Sequence, residues 1–273
     1  MISLSAKFDA KTLRKTVLDM AYAGSTVHIG CALSIVELLA VLYRNHLRYS
    51  GNDPLAVNRD YFVLSKGHGV MAQYACMREL GWLKDDAFTG YFADGSNLKG
   101  LSDSRVPGLE VTSGSLGHGF SVGVGMSMGA KLRGTDQKTY ALVGDGEINE
   151  GAIWEGSLFA AHNALKNFMV IVDENGFQAM GRTQEVLNLG SIKAKFESFG
   201  FEAITIDGHD EAAIDSAISQ LWASRSTAPK ALIAKTIKGK GVPFMENNNI
   251  WHYTRLDADT YAQALAAVAG CSA

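Results

Sequence analysis

The chain has 273 residues, of which 47% are hydrophobic and 19% charged, with a formal net charge of −3. That balance suits a soluble globular α/β protein with a real core, and it offers no electrostatic argument for nucleic acid or an anionic membrane surface. No apolar run reaches the roughly 18 residues of a membrane span, and the amphipathic start is unlike a signal peptide.

In chain order, apolar spacing predicts helices over 7–23 and 33–45, a short strand over Tyr61–Leu64, a turn over 65–69 and a helix over 70–80. The stretch 86–112 is polar, Gly-rich and too long for a passive connection, so it reads as a functional loop. A helix of small residues over 119–133 leads to a strand over 139–143, a helix over 150–165 and a strand over 169–173. A helix over 191–199, a strand over 202–206, a helix over 210–224 and a strand over 231–235 follow. The loop 238–254 then leads to a last helix over 257–269. Apolar strands alternating with amphipathic helices imply a doubly wound parallel sheet flanked by helices, with ligands bound at the carboxyl ends of the strands. With no linker, repeat or low-complexity stretch, residues 1–273 read as one domain.

The 29 glycines cluster at 112–130, 144–156 and 239–241, where backbone approaches something closely. Cys31, Cys76 and Cys271 are scattered singly. They read as buried or idle thiols of a reducing cytosol, which points to a cytoplasmic protein rather than to zinc or disulfides.

The strongest signal is Gly144-Asp145-Gly146 followed thirty residues later by Asn175, each just past a predicted strand and separated by one helix. A right-handed crossover brings these strand ends together. A carboxylate, an amide oxygen and a free carbonyl then converge as hard ligands for Mg²⁺ or Ca²⁺ shared with a ligand's phosphates. The flanking glycines let a diphosphate approach backbone N–H groups. Taken singly, each motif is an ordinary turn; it is the pairing that argues for a site.

The run from Gly144 to Phe177, GDGEINEGAIWEGSLFAAHNALKNFMVIVDENGF, resembles the thiamine-diphosphate motif. Three further segments, GSTVHIG at 24–30, FVLSKGH at 62–68 and GLEVTSGSLG at 108–117, resemble transketolase specifically, as does KTIKGKG at 235–241. The resemblance implies thiamine diphosphate and a metal held by Asp145, the Asn175 side chain and the Phe177 carbonyl. It places Gly144, Gly146, Glu147 and Asp173 at the diphosphate, with His252 beside it. His28 and His68 face the cofactor and substrate channel, Gly114 and Leu116 lie under the aminopyrimidine, and Glu150 matches a carboxylate at the dimer interface. His28, His68 and Glu150 are the implied catalytic residues. His118 stands where the family usually has Gln. His46 and His209 lie in no motif, and His162 reads as a packing residue inside a helix, as Trp154 and Phe159 read as core or interface.

Two departures from the family stand out. Gly100-Leu101-Ser102 occupies the place of a segment carrying a substrate-facing His, which removes a donor for a ketose oxygen. The pyrimidine-binding domain, whose Glu contacts the cofactor ring, is absent and expected on a separate chain. The implied activity is therefore two-carbon ketol transfer by the N-terminal subunit of a split transketolase, a transferase active only with a C-terminal transketolase-like partner, as an α2β2 heterotetramer. Leu101 motivates a second reading, transfer from a ketose to a lipoyl or acyl-carrier thiol. A Rossmann dehydrogenase is disfavoured, because the glycines at 123–129 are spaced GxGxxxG and open no N-terminal βαβ unit. A non-catalytic remnant is disfavoured by the intact Asp145 and Asn175.

Overall fold

The computed structural model describes residues 7–49 and 53–270, so Cys271 lies outside it. Asp9 accepts the Thr12 N–H at 2.8 Å and caps helix α1 (Ala10–Ala23), which buries Leu13, Val17, Leu18 and Ala21. The helix expected over 33–45 is divided into α2 (Ile29–Leu33), α3 (Val36–Val41) and a π-helical turn over Leu42–His46. The division falls at Ser34, whose hydroxyl turns back to the Cys31 carbonyl at 3.1 Å and outward to Asp173 at 2.8 Å. Strand β1 (Tyr61–Leu64) feeds a turn at Gly67–Gly69 and α4 (Val70–Leu80). The long loop holds only a short helix, α5 (Asp85–Thr89).

Helix α6 (His118–Leu132), β2 (Thr139–Gly144), α7 (Gly151–His162) and β3 (Phe168–Glu174) form the expected crossover. A small hairpin of β4 (Phe177–Gln178) and β5 (Gly181–Arg182), then α8 (Thr183–Val186), was not legible in the sequence. Helix α9 (Ile192–Ser198), β6 (Glu202–Asp207), α10 (Glu211–Ala223), β7 (Lys230–Lys235) and α11 (Ala258–Gly270) complete the order. Helix α7 ends at His162, with Ala164 in left-handed backbone at φ 47°, and His162 is exposed there rather than packed as expected. No helix among the described residues is long and apolar enough to cross a membrane.

The sheet runs β1-β2-β3-β7-β6, parallel throughout. Because both faces are covered, the central strands are apolar along their middles, 140–143, 168–172 and 231–234, and sort by parity. Tyr140, Leu142, Met169, Ile171 and Leu232 pack on the side of α1, α3, α4 and α10. Ala141, Val143, Val170, Val172 and Ile233 pack on the side of α6, α7 and α9. The chain passes from β3 to the edge strand β6 over the second side and returns to β7 over the first. The register pairs Gly144 with Asp173 and Asp173 with Ala234, so the ends of β2, β3 and β7 finish level.

The long loop closes over the end of β1. The Ser113 hydroxyl donates to the Leu64 carbonyl at 2.6 Å, and the Ser102 N–H donates to the Gly67 carbonyl at 3.2 Å. A Cβ at Gly67 would lie 2.3 Å from the Ser113 carbonyl oxygen, so only glycine admits this approach. Gly67→Ala is expected to cost about 1–3 kcal/mol through backbone overpacking. Gly151→Ala, in the first turn of α7 with nothing within 4 Å of the added Cβ, is expected to be neutral or to stabilise by about 0.4–1 kcal/mol. Urea denaturation of the two variants checks this ordering.

Candidate cofactor site

The level strand ends place Asp145 beside Asp173 and Asn175. The Asp145 carboxylate bridges both turns, accepting the Gly146 N–H at 2.8 Å and the Gly176 N–H at 2.6 Å. The Asn175 amide is fixed at both ends: its oxygen accepts the Phe177 N–H at 3.0 Å and its nitrogen donates to Asp173 at 2.9 Å. Burial and the nearby Asp173 charge push the Asp145 carboxyl up to about 7. A buried carboxylate whose charge is disfavoured is a site in want of a cation.

Asp173 was expected to line the diphosphate site. Instead it is wholly buried beneath the strand ends and lines neither of the two cavities that open there. Lys66, equally buried, donates to it at 2.5 Å, and Ser34, Asn175 and Thr236 donate as well. Burial opposes its charge, yet Lys66 holds the carboxyl below the usual range and Asp173 in turn raises Lys66. Glu147 is likewise buried; it accepts the Ser65 hydroxyl at 2.5 Å and the N–H groups of Gly117 at 2.8 Å and Gly144 at 3.1 Å. It thus ties the ends of β1 and β2 to the start of α6.

A cavity of about 670 Å³ opens beside these turns. His28, His68 and His252 line it, with ring centroids 5.3, 5.3 and 5.7 Å apart. His28 adopts left-handed backbone, φ 67°, and its N–H donates to the His252 carbonyl at 3.1 Å. All three imidazoles are held neutral. Burial first, then Lys238, lowers His28 and takes His252 to about 3, and burial with Lys66 puts His68 well below 6.5.

Lys238 is fully buried, and its amine meets Asn249 Oδ1 at 2.7 Å and His252 Nδ1 at 2.9 Å. None of those partners is a carboxylate, and burial lowers its affinity for the proton. Its loop is anchored from behind: Arg14 donates to the Lys240 carbonyl and to Glu37, and the Ile237 N–H donates to His209, which also bonds Glu37.

Gly114, Leu116 and Leu101 line the same cavity, as do Gly144, Gly146, Glu147 and the exposed Glu150. Asp145 and Asn175 do not; they open on an adjoining cavity of about 270 Å³, and Phe177 lies buried under Arg182 and Lys238. The motif residues therefore share one sheet edge but face two neighbouring spaces. His118 is exposed, with Nδ1 3.3 Å from the Leu116 carbonyl, and His46 pairs with Asp215 at 2.9 Å away from the site.

Several participants had no expected role. Lys66 and Lys238 stand inside the quoted motifs; Lys66 is the lone lysine of an apolar run, while Lys238 is one of three lysines in its run and nothing in the sequence singled it out. Cys31, Asn149 and Gln178 carried none. The donor set fits an anion with a hard cation. One lysine has no carboxylate at ion-pair distance among the described residues, one carboxylate resists ionising, and two buried polar atoms, Gln178 Nε2 and Asn149 Oδ1, have no hydrogen-bond partner.

Residues 5–270 match the family model of the transketolase thiamine diphosphate binding domain. The chain belongs to the transketolase family. It is 37% identical over 252 residues to one of the chains of the apulose-4-phosphate transketolase of Phocaeicola vulgatus, named as a subunit of that enzyme, covering 92% of this chain and 89% of that one. It is 34% identical over 264 residues to the 6-deoxy-6-sulfo-D-fructose transketolase subunit SqwG of a Clostridium strain, covering 96% of each. The crystal structure of Campylobacter jejuni transketolase superposes with a TM-score of 0.89 at 30% identity, over 98% of this chain but 43% of that one. The transketolase fold is thus matched closely, while the chain spans under half the length of that solved relative.

Asp173→Ala leaves Lys66 charged and buried without its partner and is expected to cost about 3–5 kcal/mol in denaturant melts, whereas Lys66→Met with Asp173→Leu recovers part of that loss. The depressed imidazoles set a second expectation. Between the folded and unfolded values the unfolded chain binds more protons, so stability is full above the ordinary 6.5 and is lost as pH falls below it. The melting temperature of His252→Asn should therefore drop less than that of the wild type between about pH 8 and about pH 5.

Proposed function

We propose that this chain is the diphosphate-binding half of a two-subunit, Mg²⁺-dependent transketolase that moves a two-carbon fragment from a ketose to an acceptor. The observation that carries the reading is the pairing at one sheet edge of Asp145 and Asn175 with Lys238, whose amine contacts only neutral partners, and three neutral imidazoles. The relatives named as transketolase subunits are matched over nearly their whole length, and this supports the split arrangement. Residues 1–273 then form one domain, and a C-terminal transketolase-like chain supplies the pyrimidine side in a cytoplasmic α2β2 assembly. Val122, Leu158 and Phe159, 43–59% exposed on α6 and α7, give that partner an apolar surface to cover, with Glu150 at its margin.

Bound thiamine diphosphate supplies the carbanion-stabilising ring that lets a carbon–carbon bond beside a ketone break and reform. The chain's residues hold and orient it. Asp145, the Asn175 amide oxygen and the Phe177 carbonyl hold Mg²⁺. Lys238, His252 and the turn at Gly144 and Gly146 meet the diphosphate, with Glu147 and Asp173 keeping that turn in place. Gly114 and Leu116 support the pyrimidine. His28 and His68, neutral at physiological pH, donate to or accept protons from substrate oxygens. Leu101 lines the cavity at 43% exposure and offers no such donor. This favours an unusual ketose, or a second reading in which the acceptor is a lipoyl or acyl-carrier thiol. Product mass after incubation with candidate pairs separates these.

Calorimetric titration of thiamine diphosphate into the chain should show binding only with Mg²⁺, tighter with the partner present and abolished by Asp145→Ala. Absence of binding under every condition rejects the reading. His68→Ala should lower turnover far more than cofactor affinity; equal losses would reduce His68 to a binding contact.

A further inference from the structure

Gln178 stands at the end of β4, on the hairpin that follows the Asn175 turn. Its side chain packs on the turn at Gly146: a Cβ built on that glycine would lie 2.7 Å from Gln178 Cβ and 3.6 Å from its Oε1. It lines the larger cavity together with Gly144, Gly146 and His252. Its Nε2 is buried and has no hydrogen-bond partner. An orphaned buried amide destabilises the chain that carries it, and a methionine would fill the same volume without that penalty. The amide N–H₂ is purely a donor. Around it, the Gly146 N–H is already spent on Asp145, and Lys238 contributes a further positive charge to the site. An acceptor-rich anion in this positively charged site would satisfy such a group.

We propose that Gln178 is a further cofactor-binding residue, whose side-chain amide donates to a phosphoryl oxygen of the diphosphate. This rests on the function proposed above. It predicts opposite signs for the ligand-free and ligand-bound protein, a pattern that a packing role does not produce.

The test uses the full chain with its candidate partner and Mg²⁺. Wild type, Gln178→Met and Gln178→Glu are titrated calorimetrically with thiamine diphosphate and, separately, with inorganic pyrophosphate, and their ligand-free melting temperatures are compared. Gln178→Met should melt at or above the wild type yet bind both probes about tenfold more weakly. Gln178→Glu should bind more weakly still, because a carboxylate repels the diphosphate. Unchanged affinity in Gln178→Met would show the amide to be idle. A parallel fall in melting temperature and affinity would make it a packing residue, and tighter binding by Gln178→Glu would assign it to the cation; each overturns the proposal. Failure of the wild type to bind thiamine diphosphate overturns both this inference and the function beneath it.

Discussion

The Lys66–Asp173 ion pair is the constraint on which the rest of the site depends. Both groups are buried, 2.5 Å apart, where each alone would be strongly disfavoured. Asp173 gathers donors from four separate segments: Ser34 between α2 and α3, Lys66 after β1, Asn175 after β3 and Thr236 after β7. One carboxylate thereby sets the relative positions of the loops that carry His28, His68, the metal-type oxygens and Lys238. A buried pair contributes little net stability, but it penalises every arrangement in which one partner is left unmatched. Its value here is geometric.

The charges at the site divide into satisfied and unsatisfied groups. Lys66 and Asp173 cancel, and the Glu147 carboxylate is consumed by one hydroxyl and two backbone N–H groups. What remains is Lys238 without a carboxylate and Asp145 with its charge opposed by burial. The two lysines add to burial in keeping the three imidazoles neutral, so the histidines keep both donor and acceptor character near neutral pH. The Mg²⁺-diphosphate proposed above would complete both leftovers at once. Lys238 is met at contact only by neutral groups, with Asp145 and Asp173 acting on it from a distance, and burial outweighs the two N–H groups that meet Asp145.

Much of this was legible in the chain itself. Every strand of the main sheet and most helices lay within a residue or two of their expected bounds, because a parallel sheet covered on both faces writes itself as short apolar runs separated by amphipathic stretches. The turns after 143 and 173 announced themselves through glycine: an added Cβ at Gly146 would lie 2.7 Å from Gln178 Cβ, and Gly176 takes a left-handed φ of 79°. The β4–β5 hairpin and α8 were missed because elements of two to four residues carry no periodicity. The break at Ser34 was missed because it depends on a partner 139 residues away.

The sequence by itself determined the sheet, its crossover from β2 to β3 and the kinds of atom delivered to its edge, because these follow from local periodicity and the handedness of the chain. Only the tertiary structure decided which of those atoms reach open space. It withdrew Asp173 from the cavity and made it a buried organiser, set the Lys238 amine against neutral partners, and set Asp145 and Asn175 on a separate space from the imidazoles. Exposure, charge balance and an unpaired amide are properties of how distant segments pack, and no window of residues contains them.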